Sequence, residues 1–210
     1  MLEKSVTDYA DALASKDPVP GGGGTAAVVA ALGVALGTMV GNLTLGKKRY
    51  FSVQDDIHEL VMRSECLRKE LQELSETDAS VFCPLAEAYG MPSNTDDERA
   101  AKDAVLQPAL LAAAEVPMEI CRKTVESIRL LSRYGEIGSR LAISDVACGA
   151  ALARAALESA QFNVLINTRL MVDLEAARRL DHEAAELVAE GTKVADATIG
   201  AIREQLTTRT

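Results

Sequence analysis

The chain has 210 residues and a formal net charge of −9, with 48% apolar residues, 3% aromatics and no tryptophan. That length suits one domain, or one protomer of an oligomer, with a sizeable core. The acidic balance argues against non-specific nucleic-acid binding, which needs a clustered basic face.

Helical spacing dominates and strand-like alternation is scarce, so the expected fold is all-α, a bundle of long helices. Abundant Ala, Leu, Glu and Arg favour helix intrinsically. A first helix is predicted from about Glu3 to Ser15, stopped by Asp17-Pro18-Val19-Pro20. Gly21 to Gly24 read as a loop, and a second helix runs from about Thr25 to Leu45, with Gly46 as its stop. A third covers about Ser52 to Tyr89 and ends at Gly90-Met91-Pro92. Thr95 and Glu98 form a capping-box pattern that opens a fourth, with kinks or breaks expected at Pro108 and Pro117 and an end before Gly135. Ser144-Asp145 opens a fifth, reaching about Leu170, and a last amphipathic helix starts at about Leu174 or Asp181 and ends near Leu206. Residues 1–210 read as a single helical domain, with no linker and no clean repeat.

Thr25 to Leu45 is nearly free of charge and about as long as a bilayer span, but its Ala, Gly and Val content favours a buried core helix. Gly33, Gly37 and Gly41 recur on one face of it; Ala147, Ala151, Ala155 and Ser159 do so on the fifth helix. Such rows allow close backbone approach, within a core or across a dimer interface. Cys66, Cys83, Cys121 and Cys148 lack CxxC spacing, and His58 and His182 are too scattered for a metal site. Reduced thiols in a cytoplasmic protein are expected, with no export signal.

Four segments carry candidate chemistry. Pro20 to Thr25 runs a glycine stretch into a helix start, where unpaired N–H groups attract anions; a plain tight turn is the alternative. It matches neither a P-loop nor a dinucleotide fingerprint. Asn42, Thr44, Lys47, Lys48, Arg49 and Tyr50 gather cations at a helix end, where they complement the dipole or hold an anionic ligand. Ser144-Asp145 heads an apolar helix as an N-cap, or as a carboxylate beside apolar walls with a raised pKa. Asn163 shares its face about 27 Å further along, and Asn167 lies near the same stripe. Asp78, with Tyr89, is either a surface carboxylate or a second acid–base candidate.

These segments in this order resemble one family: formiminotetrahydrofolate cyclodeaminase and the related methenyltetrahydrofolate cyclohydrolase. The matching stretches are PVPGGGGTAA, MVGNLTLGKKRY, DASVF…AYGMP, AAAEVP and ISD…NVLIN, from about Asp17 to Asn167. Where the family often shows an Asn-rich GNxN, this chain has Gly138-Ser139-Arg140-Leu141. The resemblance implies a dimeric all-α bundle and one of two reactions. A cyclohydrolase hydrates 5,10-methenyltetrahydrofolate to 10-formyltetrahydrofolate. A cyclodeaminase closes 5-formiminotetrahydrofolate and releases ammonia. The four-glycine run and the expected lack of a fused transferase favour the cyclohydrolase. A non-catalytic folate-binding or structural dimer is the reading from another class.

The implied roles are specific. Asp145 orients or deprotonates water, or holds the pterin edge, and Asp78 is a second catalytic carboxylate. Lys47 and Lys48 favour anionic parts of folate or a developing hydroxyl. The Gly22, Gly23, Gly24 and Thr25 backbone faces an anionic or carbonyl group. Asn42, Tyr50, Ser144 and Asn163 complete the substrate contacts. No metal and no cofactor beyond the folate substrate is implied, and no membrane or nucleic-acid partner.

Overall fold

Capping chemistry sets the helix starts. In the computed structural model, which describes Leu2 and residues 5–208, α1 spans Val6–Leu13. Ser5 Oγ accepts the Asp8 N–H at 3.1 Å and the Asp8 carboxylate accepts the Ser5 N–H in return. Glu3, the expected start, lies outside the described residues. α2 spans Gly22–Asn42, and a short 3-10 helix, Lys48–Val53, leads into α3, Gln54–Gly90. α4 covers Asp96–Ile137 behind the Thr95–Glu98 capping box; α5 covers Ile143–Thr168 and α6 Leu174–Thr207, the last capped by Asp173. No strand occurs among the described residues.

Three boundaries differ from the sequence reading. Gly22 to Gly24 are the first turn of α2, not a loop. Ser144 is not a cap: the N-cap of α5 is Ala142, with no side-chain bond, and Ser144 already lies inside the helix. Neither Pro108 nor Pro117 breaks α4, which also continues through Gly135, where an end was expected, to Ile137. A helical proline costs about 3 kcal/mol. Burial of Leu110, Ala113, Ala114, Met118 and Ile120 around these prolines offsets that cost.

α2 is the central helix, packed on α3, α4 and α5, while α6 covers α4 and α5. It runs antiparallel to α5: a Cβ on Gly22 would meet Asn163, and one on Gly33 would lie 2.9 Å from the Gly149 carbonyl. Gly37 and Gly41 admit the ring of Tyr134, which is fully buried with its hydroxyl 3.1 Å from Ser64 Oγ. The glycine row is therefore core. The α5 row is not: Ala151, Ala155 and Ser159 are exposed. By length and composition α2 and part of α4 could cross a membrane, but 61% of the α2 window is buried within the bundle. Arg63 ties α3 to α4 through both Glu126 oxygens at 2.5 and 2.6 Å, and Arg122 ties α4 to α6 through Glu183 at 2.7 Å.

Two glycine substitutions separate close packing from helix propensity. Gly33→Ala drives a methyl against the α5 backbone and lowers stability by about 1–3 kcal/mol. Gly200→Ala, on exposed α6 with nothing nearby, raises it by about 0.5–1 kcal/mol. Urea unfolding midpoints of the two variants, moving in opposite directions, check this.

Candidate active site

The glycine run is explained by what surrounds it. α3 brings Asp78 so close to the start of α2 that a Cβ on Gly23 would lie 2.4 Å from Asp78 Oδ1. A Cβ on Gly24 would lie 3.2 Å from the Ser75 carbonyl. The absent side chains make room for the carboxylate. Gly21, as N-cap, has no side chain to satisfy the first turn. Asp78 does so instead, its Oδ2 accepting the Gly24 N–H at 2.7 Å. Thr25 donates its hydroxyl to the Gly21 carbonyl at 2.7 Å, with Tyr9 Oη 3.2 Å away.

Beside Asp78 lies a cavity of about 320 Å³, lined by Gly21 to Gly23, Phe82, Leu85, Tyr89, Asn163 and Asn167 among others. That volume falls within the range of small-molecule sites. Its walls are mostly apolar with a few fixed polar groups. Asn163 donates Nδ2 to the Ser159 carbonyl at 2.8 Å. Asn167 donates Nδ2 to the carbonyls of Ala113 (2.9 Å) and Asn163 (2.8 Å). Both donors of Asn167 are thereby spent, and its Oδ1 is left as an acceptor. Burial raises the pKa of the Asp78 carboxyl, an effect only partly offset by the Gly24 N–H. Burial also raises that of the Tyr89 phenol.

Of the residues singled out in the sequence, Gly22, Gly23, Asp78 and Asn163 line this cavity, Gly24 bonds to Asp78 beside it, and Thr25 lines a neighbouring hollow instead. Asn42, Lys47, Lys48, Tyr50, Ser144 and Asp145 do not: they lie at the opposite end of α2 and α5, about 30 Å away along α2. That end is held together by its own bonds. Ser139 donates its N–H to Thr44 Oγ1 at 2.8 Å, and Arg140 donates its N–H to Tyr50 Oη at 3.0 Å. The Arg140 N–H, with nearby Arg49, lowers the Tyr50 pKa. Lys47 and Lys48 are exposed and edge a hollow with Phe51 and Gln54. Asp145 is half-buried in the first turn of α5. Sequence reasoning missed Phe82, Leu85 and Ala113, because apolar lining has the same helical period as core. Asn167 was visible as the residue four after Asn163.

A larger open groove of about 600 Å³ lies between α4 and α6, and none of those residues lines it. Its guanidinium, Arg140, is spent on the carbonyls of Gly135 and Glu136 and on Gln205. Of the four cysteines only Cys121 is buried, which pushes its thiol up to about 12, and all four are free. No group of three or more His, Cys, Asp or Glu is placed to hold a metal among the described residues.

The raised Asp78 pKa fixes a sign. A carboxyl that holds its proton more tightly when folded contributes stability below its unfolded pKa and loses it as pH rises through the folded value. Asp78→Asn keeps an acceptor for Gly24 and removes the partly buried charge. The variant is expected to unfold at higher urea than wild type at neutral pH, with the advantage shrinking as pH falls towards the ordinary carboxylate range. A variant less stable at neutrality would contradict this.

The family model described as formiminotransferase-cyclodeaminase matches residues 5–186. A methenyltetrahydrofolate cyclohydrolase from Methylorubrum extorquens is 40% identical over 89% of this chain and 90% of its own length. The mouse formimidoyltransferase-cyclodeaminase is 29% identical over 96% of this chain, which spans only 37% of that protein. The crystal structure of formiminotetrahydrofolate cyclodeaminase from Thermotoga maritima superimposes with a TM-score of 0.87 at 29% identity, covering 99% of this chain and 100% of that one. With its helices, its glycine run and its Asp78 cavity, the chain belongs to the formiminotransferase-cyclodeaminase family.

Proposed function

We propose that the protein is a methenyltetrahydrofolate cyclohydrolase, converting 5,10-methenyltetrahydrofolate and water to 10-formyltetrahydrofolate and a proton. The observation that carries this reading is the half-buried Asp78 carboxylate in a cavity of ligand size, hydrogen-bonded to the first turn of a glycine-rich helix. The similarity to a cyclohydrolase over nearly its whole length supports it.

The chemistry suits the group. The methenyl carbon bridges two folate nitrogens and carries positive charge. Burial alone disfavours ionised Asp78, but a cationic carbon beside it restores the charged form. That form accepts a proton as water adds to the carbon. The tetrahedral adduct then collapses: the hydroxyl gives up its proton to solvent as the C=O forms, the carbon–N5 bond breaks, N5 takes the proton held by Asp78, and the formyl group stays on N10. No electrons are transferred and the methenyl carbon is already cationic enough for water to attack without Lewis-acid activation, so the reading requires neither a redox cofactor nor a metal. Asn163 and Asn167 supply acceptors for the pterin edge. Lys47, Lys48, Asp145, Ser144, Asn42 and Tyr50 lie about 30 Å from Asp78 along α2 in the same chain, so they serve this ligand only as groups of a second copy, the lysines on its glutamyl carboxylates and Asp145 orienting water or ligand.

The relatives named cyclodeaminases favour a second reading, closure of 5-formiminotetrahydrofolate with loss of ammonia. The same carboxylate serves there by protonating the leaving amine. In either case we take the chain as a single-domain, cytoplasmic homodimer without nucleic-acid or membrane partners.

Purified protein should accelerate the absorbance decay of 5,10-methenyltetrahydrofolate above the spontaneous rate. Asp78→Asn should lower kcat by about 10²-fold or more, the contribution expected of a positioned acid–base group. Ammonia release from 5-formiminotetrahydrofolate without methenyl hydrolysis would establish the second reading. Neither activity in folded protein would leave a non-catalytic binding protein.

A further inference from the structure

α1 is held to the bundle at points rather than by a packed face. Its eight residues bury no side chain, and Val6 is 88% exposed. An isolated helix of that length is marginal in water, so α1 depends on what ties it down. Ahead of it, the Leu2 N–H donates to Glu76 on α3 at 3.0 Å. In its middle, the Tyr9 hydroxyl meets the Thr25 hydroxyl at 3.2 Å. At its end, Leu13 lines a hollow with Thr25 and Val29 of α2.

The segment behind α1 is part of the site. Pro18 and Val19 line the Asp78 cavity, and Gly21 to Gly23 carry that lining into α2. The link from α1 is stiff. The Ser15 N–H donates to the Ala12 carbonyl at 3.1 Å, Ser15 Oγ accepts the Asp17 N–H at 3.0 Å, and Pro18 and Pro20 have a fixed φ. A shift of α1 is therefore passed on to Pro18 and Val19.

We propose that Tyr9 is a positioning residue for the ligand of the Asp78 cavity. Its hydroxyl fastens α1 to α2, which holds Pro18 and Val19 as cavity wall and fixes the peptide that opens α2. The identity of the ligand rests on the folate reading above; the fastening does not.

The direction of the bonds supports this. The Thr25 hydroxyl has one proton and spends it on the Gly21 carbonyl at 2.7 Å, so Tyr9 is the donor to Thr25. The Gly21 carbonyl also accepts the Thr25 N–H at 3.1 Å. Across a planar trans peptide the Gly22 N–H points opposite to that carbonyl. The chain of bonds from Tyr9 thus ends on a backbone donor of a residue that lines the cavity. The bond from Gly24 to Asp78 lies outside this chain, so Tyr9 acts on binding and not on the carboxylate.

Tyr9→Phe removes only the hydroxyl. It should raise KM for 5,10-methenyltetrahydrofolate at least about threefold, the weight of one net hydrogen bond, with kcat within about twofold of wild type. The urea midpoint should stay unchanged, because α1 buries nothing. Thr25→Val should reproduce the KM effect, the double variant should be no worse than either single one, and Thr25→Ser should recover most of the loss. A wild-type KM in Tyr9→Phe, or additive losses in the double variant, overturns the proposal. Hydrogen exchange without ligand tests the fastening apart from turnover. Backbone amides of residues 6–19 should exchange at least about threefold faster in Tyr9→Phe, with α4 unaffected. Equal exchange in that segment overturns the proposal as well. If wild type turns over neither folate, faster exchange sinks the reaction alone and leaves the Tyr9 fastening standing.

Discussion

The close approach of the α2 backbone to its neighbours is the constraint from which the rest of the structure follows. Gly23 and Gly24 lie on α3, Gly33 on the α5 backbone, and Gly37 and Gly41 on the ring of Tyr134 from α4. A methyl at any of these positions would meet another atom at 3.2 Å or less. Side chains on α2 would hold the surrounding helices apart and open voids around it, which close-packed cores do not tolerate. Glycine inside a helix costs roughly 0.5–1 kcal/mol of entropy relative to alanine. Burial of Tyr134, Leu131 and Val34 around the helix offsets that cost.

The same approach makes the site. Where α2 begins, the missing side chains admit a carboxylate instead of a neighbouring helix. Asp78 caps the helix and is desolvated by the same packing. A group that caps a helix wants to be ionised; a group buried among apolar walls does not. Here burial outweighs the single N–H, so the carboxyl is held closer to neutrality than an exposed aspartate. That is the condition under which a carboxyl can both take and give a proton. Its role as a cap and its role in proton transfer are therefore one arrangement.

The two ends of the bundle differ in character. The cavity end is partly enclosed and its asparagines donate their amide N–H groups to backbone carbonyls, which fixes their orientation. At the Lys47 end the lysines are exposed, while Tyr50, Thr44, Gln54 and Arg140 are tied down around them. Exposed lysines lose little by waiting in water, so they can serve an anionic ligand without being positioned by their own chain.

Much of this was legible in the chain itself. Helical periodicity, the Thr95–Glu98 capping box and the proline-rich stop after α1 place the elements, because they depend on residues within one turn of each other. The motifs also pointed to Asp78, Asn163 and the glycines. The sequence did not say that the glycines are helical, since a glycine run reads locally as a turn and only the carboxylate of α3 supplies the missing cap. Nor did it say that α4 continues through Pro108 and Pro117, because the compensating burial comes from other helices. Motif order placed Asp145, Lys47 and Asp78 in one site; the length of α2 separates them by its rise per residue. Local chemistry is written in neighbouring residues, and which helix ends meet is decided only by packing.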